Sequence, residues 1–220
     1  MFSLLIPVVL FSLTVHEYSH GRVAFLLGDN TAKLLGRLSF NPFKHLHPIG
    51  TLLIFIIGLG FAKPVPVDPR NFDHPRRDMM YVAVAGPLSN VALAVICGFF
   101  VRIIEPYDNV ISFTLFTFMS FGVYINVMLA IFNLLPIFPL DGSSVIKGLV
   151  PSSIAARLGD FDRFSIFLLL GVVLLDRFAD TGILGRVLLG PIMTAVQFLS
   201  QEAFSDLDKV LSIGFSLIYG

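Results

Sequence analysis

Two histidines and a glutamate stand close together near the start of the chain, in the segment LFSLTVHEYSHGRVAFLLGD. His16, Glu17 and His20 form the pattern H-E-x-x-H. Residues four apart on an α-helix share a face, so His16 and His20 can offer two imidazoles to one metal ion. Glu17 lies beside them and can reach a water at that metal without binding it. Two ligands and a general base are the chemical content of the pattern. Gly21 comes next and leaves room for another backbone or a substrate to approach.

A catalytic zinc ion needs three protein ligands and one open position, so a third ligand must come from elsewhere. Asp141 is the strongest candidate. It follows the helix breakers Pro136 and Pro139 and precedes Gly142, a setting that can turn a carboxylate inward at the end of an apolar run. Asn90, in AGPLSN, is a second polar group inside an apolar run. It can hold a substrate backbone or an oxyanion, or form an interhelical hydrogen bond. Asn133 is read as satisfying carbonyls freed at Pro136, and Gly86 and Pro87 as permitting close packing and a local bend. His45, His47 and His74 fall in polar loops and are read as solvated. Cys97 stands alone, which excludes an intrachain disulfide framework; it is read as packing.

The elements that must position these residues are membrane elements. Of 220 residues, 55% are hydrophobic and 14% charged, with 23 Phe, and mean hydropathy is +0.85. A soluble domain carries about 25% charged residues. Apolar runs of about 20 residues read as helices, because hydrocarbon obliges each segment to satisfy its own backbone. Three full spans are expected: Phe2 to Leu27, Met79 to Ile104 and Ile111 to Leu135. The first lacks a basic leader and a small-residue cleavage site, and is read as uncleaved. Ile49 to Ala62 is short and reads as re-entrant or interfacial. KPVPVDPRNF follows, and its alternating prolines favour extended backbone. A polar loop is expected from the PLDG turn to Arg163, then apolar runs at Phe164 to Leu175 and Ile183 to Leu199. The expected fold is an all-α polytopic membrane protein with about five to six transmembrane or re-entrant segments and a short extended membrane-associated loop. Residues 1–200 form the membrane domain, and 201–220 a tail of uncertain origin.

Basic residues orient the spans. Lys33, Arg37, Lys44, Lys63, Arg70, Arg76 and Arg77 precede the second span, and Lys147, Arg157 and Arg163 follow the third. The link between these spans has Glu105 and Asp108 and no base. Both basic regions are cytoplasmic if the second and third spans form a hairpin. HEYSH and Asp141 then lie at the same depth, toward the cytoplasm. Net charge is zero, which gives no footprint for nucleic acid. Three function classes are compatible with this pattern: a membrane hydrolase, a metal transporter whose ligands line a pathway, and an inactive scaffold. One glutamate between two histidines, plus one distant aspartate, leaves an open coordination position and favours hydrolysis.

The sequence resembles the site-2 proteases, polytopic zinc metalloproteases that cut within membranes. HEYSH matches that family's H-E-x-x-H, AGPLSN its G-P-x-x-N and NLLPIFPLDG its N-x-x-P-x-x-P-x-D-G, in family order. LGRLSFNPFKHLHPIGT and GFAKPVPVDPRNFDHPRR resemble the compact prokaryotic branch, the type expected to lack PDZ and CBS domains. The likeness covers roughly residues 4 to 195. It implies a three-helix catalytic core, one Zn2+ per chain held by His16, His20 and Asp141, Glu17 as catalytic base and Asn90 as a substrate or transition-state contact. It also implies a multi-pass cell-membrane protein in contact with lipid, whose substrate is a transmembrane protein. LDGSSV departs from the pattern: Ser143 and Ser144 stand where relatives often have Gly and Arg.

Overall fold

The computed structural model describes residues 2–47, 62–179 and 181–219. Among these, the chain is helical with no strand, as an apolar chain that must satisfy its own backbone requires. Helix α1 spans Phe2–Leu26 and α2 is the single turn Thr31–Leu34. Helix α3 spans Pro75–Ile103, α4 Val110–Asn133, α5 Asp141–Leu149, α6 Ser152–Phe178, α7 Ile183–Ser200 and α8 Phe204–Tyr219.

Each boundary has a local cause. Pro75 opens α3 at a position where a missing N–H is harmless, and Asp78 accepts the His74 N–H at 3.0 Å. Asn109 caps α4 by accepting from Ile111 N–H and Ser112 N–H. Asn133 donates back to the Leu129 carbonyl at 2.9 Å where α4 ends. Arg102, near the end of α3, donates to the Phe198 and Leu199 carbonyls and so satisfies the last turn of α7.

Helices α3 and α4 are long and apolar enough to cross a membrane. They pack along each other, and α1 packs against both. This is the expected three-helix core. Helix α1 carries Ser12, Thr14, His16, Glu17 and His20, all buried, while Ile6 and Phe11 point outward.

Two expectations need correction. The stretch read as a polar loop up to Arg163 is helical: α5 starts at Asp141 and α6 at Ser152. An apolar-run criterion finds only the part of a helix that suits hydrocarbon, and the first turns of α6 are polar; Asp162 there pairs with Lys147 of α5. His45 is not solvated. It is buried, and its Nε2–H donates to the Ser39 carbonyl at 2.8 Å. The re-entrant segment expected at 49–62 lies almost wholly outside the described residues, and 62–68 has no regular structure. In the stretch set apart as a tail, α8 buries Leu207, Val210 and Leu211 in the same core as Phe116 and Val123 of α4 and Val196 of α7.

Candidate metal centre

His16 and His20 sit one turn apart on α1, both buried. Their rings are 4.6 Å apart and nearly perpendicular. Helix α3 closes on them because residue 86 is glycine. A β-carbon there would lie 2.3 Å from His20 Nε2 and 2.6 Å from His16 Cε1, so the two imidazoles occupy the space that any other residue would fill. The same helix holds the rings from behind. His20 Nδ1 lies 2.7 Å from the Val82 carbonyl. A carbonyl only accepts, so Nδ1 carries the proton. His16 Nδ1 lies 2.6 Å from Asn90 Oδ1 and donates to it. In the neutral rings both Nε2 atoms are then bare, and they face each other across 3.0 Å.

Asp141 completes the group from the start of α5. The chain turns sharply between Leu134 and Leu140, and Gly142 sits so close beneath it that a β-carbon would lie 2.3 Å from the Leu134 and Leu135 carbonyl oxygens. This delivers Asp141 Oδ2 to 3.3 Å from His16 Nε2 and Oδ1 to 3.4 Å from His20 Nε2. Oδ2 is buried and has no hydrogen-bond donor. Two imidazole lone pairs and a carboxylate thus converge with no proton assigned between them, and such a cluster repels itself unless a cation sits at its centre. The spacings fit that cation. A tetrahedral zinc ion with bonds of about 2.0–2.1 Å separates its ligand atoms by about 3.3 Å. The residues present fit zinc in both donor type and spacing.

Glu17 stays outside this group of three. Its Oε2 accepts the Val65 N–H at 2.8 Å. Val65 belongs to the proline-rich segment, which crosses α1 where Gly21 leaves room: a β-carbon on Gly21 would lie 3.0 Å from Val65 Cγ1. The segment is gripped at several points. Arg37 donates to the Lys63 and Pro64 carbonyls, Lys63 N–H to the His45 carbonyl, and Asp68 N–H and Asn71 Nδ2 to the buried Asp29 carboxylate at 2.9 and 2.7 Å. Burial pushes the Asp29 carboxyl up, but hydrogen bonds from Thr31, Asp68 and Asn71 outweigh it and leave its pKa below the ordinary aspartate value. Such a group stabilises the fold fully above the ordinary aspartate pKa, and the contribution is lost as pH falls through its folded pKa. Below about pH 4 the segment is expected to loosen, seen as faster hydrogen exchange at Asp68 and Asn71 after correction for intrinsic rates. In Asp29→Asn the same exchange is expected to be fast already at neutral pH.

His16, His20 and Asp141 are thus brought together, with Glu17 beside them. Of the two readings of Asn90, the structure shows the interhelical hydrogen bonds: it is fully buried, with His16 at one end of its amide and Asn126 and the Ser12 carbonyl at the other. Asn126 and Asp29 were not picked out by sequence reasoning. Asn126 carries a signal in hindsight, as an amide in the middle of a very apolar span.

The model of peptidase family M50 matches residues 98–175, which include Asp141. YwhC of Bacillus subtilis, named as a zinc metalloprotease, is 41% identical over 174 residues, covering 76% of this chain and 80% of YwhC. Rip2 of Mycolicibacterium smegmatis, with the same description, is 30% identical over 67% of this chain and 57% of its own length. MJ0611 of Methanocaldococcus jannaschii, also so described, is 35% identical over 45% of this chain and 49% of its own. No solved structure matches. A chain that shares so much of YwhC, and that folds a two-histidine, one-carboxylate group fit for zinc between apolar helices, belongs to peptidase family M50, the site-2 proteases, and is a zinc metalloprotease.

Proposed function

We propose that this protease hydrolyses peptide bonds within or near transmembrane helices of other membrane proteins, from a centre formed by His16, His20, Asp141 and Glu17. The observation that carries this reading is the placement of that group inside a bundle of membrane-spanning length, with Glu17 buried beside the ligands but apart from them. His16 and His20 would hold the zinc ion through Nε2, and Asp141 through its carboxylate. When bound, zinc polarises a carbonyl and acidifies water. Glu17 takes the proton of the attacking water on its carboxylate and delivers it to the departing amine nitrogen. Asp141 keeps 20% of its side-chain surface accessible, against 7% for His16, which supports a route for water past Asp141. The distribution of Lys and Arg supports a cytoplasmic entrance. The same charge pattern supports a multi-pass orientation in the cell membrane.

The test is direct. Purified protein is placed in proteoliposomes with a single-span substrate whose apolar segment carries a cleavable, mass-resolvable sequence. Cleavage is expected inside the segment, to stop on chelation, and to return with zinc. Cleavage confined to soluble loops of the substrate, or indifferent to metal removal, would sink the reading.

A further inference from the structure

We infer that Asn126 on α4 and Asn90 on α3 form a one-way hydrogen-bond relay that sets which nitrogen of His16 carries the proton. The inference rests on His16 as a zinc ligand. The relay starts at a group that cannot reverse. The Gly122 carbonyl only accepts, and Asn126 Nδ2 donates to it at 2.8 Å. This fixes Asn126 with Oδ1 toward α3, where it accepts from Asn90 Nδ2 at 2.8 Å. Asn90 Nδ2 also lies 3.4 Å from the Ser12 carbonyl, another obligate acceptor. Asn90 Oδ1 is thereby turned to His16 Nδ1 at 2.6 Å and must accept from it.

The polarity therefore runs unbroken from a backbone carbonyl on α4 through two amides to the imidazole on α1. Flipping either amide alone sets donor against donor or acceptor against acceptor at its contacts. Asn90 is fully buried and Asn126 is 2% exposed, so a mismatch costs the full desolvation of an unpaired group. If Asn90 turned its Nδ2 to His16, the ring would place its proton on Nε2, the atom that faces His20 and Asp141. A ligand atom carrying a proton cannot bind metal. His20 needs no such device, because the Val82 carbonyl fixes its tautomer directly. Asn126 and Asn90 are positioning residues: they act through His16.

The experiment uses the full-length protein with 15N-labelled histidine, in metal-free and zinc-loaded forms. In metal-free wild type, His16 is expected as the Nδ1–H tautomer; an Nε2–H tautomer there overturns the relay without any variant. In Asn126→Leu only the long contact to Ser12 orients Asn90. His16 should then lose its single tautomer, and zinc affinity by chelator competition should fall about 10- to 100-fold. Adding Asn90→Asp to Asn126→Leu supplies a carboxylate that can only accept from Nδ1–H, so tautomer and affinity should recover. An unchanged tautomer and affinity in Asn126→Leu, or no recovery in the double variant, overturns the proposal. His16→Ala tests the ligand reading separately: zinc affinity equal to wild type would remove His16 from the site, whatever the metal-free tautomer shows.

Discussion

Glu17→Gln is expected to lower turnover about 10²- to 10⁴-fold while zinc content and fold stay those of wild type. Glutamine has the shape of glutamate and keeps an oxygen for the Val65 N–H, which Glu17 Oε2 accepts at 2.8 Å. The proline-rich segment therefore stays on α1. The donor group is His16, His20 and Asp141, so losing the charge at Glu17 removes no ligand. What the amide cannot do near neutral pH is take a proton and return it. The expected result is a large fall in kcat with little change in KM, measured on the proteoliposome substrate at equal zinc. A turnover within tenfold of wild type would mean that Glu17 is not the base. Glu17→Ala should be worse behaved, because it also leaves the buried Val65 amide without its acceptor.

The second large effect is at Gly86. Gly86→Ala puts a methyl group where His20 Nε2 and His16 Cε1 now lie, at 2.3 and 2.6 Å. These are ring atoms held from behind by Val82 and Asn90, so they cannot swing away cheaply. Either the rings leave their positions or α3 backs off from α1. Zinc affinity is expected to fall about 100-fold or more, with cleavage lost in parallel. Helix propensity runs the other way, since alanine favours a helix interior by about 1 kcal/mol over glycine. The variant thus separates site from fold: metal binding collapses while α3 itself forms at least as well. Gly159→Ala is the control. A β-carbon there meets nothing within 4 Å, and zinc affinity should be unchanged. Wild-type zinc affinity in Gly86→Ala would show that the helices do not pack as described.

Much of the centre was legible in the sequence because its parts obey strong local rules. His16 and His20 must share a face at a spacing of four, and carriers of charge in an apolar chain must converge on something. Asp141 was found by its prolines and by depth. The described core helices begin and end close to the expected spans because hydrocarbon thickness sets their length. What stayed illegible depends on contacts between helices. Asn90 carries an amide that sequence alone could give to substrate or to a neighbouring helix; only the neighbours show both of its ends engaged. The helical start of α6 was missed because its turns are polar. His45 was misread because burial in a loop follows from tertiary folding: Ser39 and Lys63 close on it from both sides in sequence.

The segment Pro64–Val65–Pro66 has one amide N–H among three residues, and Glu17 already holds it. From Pro64 to Pro66 the chain can accept hydrogen bonds but has none left to give. Two copies of this protein laid edge to edge there would set carbonyl against carbonyl. Next to the most reactive groups of the molecule, the backbone is thereby insulated against the strand-to-strand association that open edges invite.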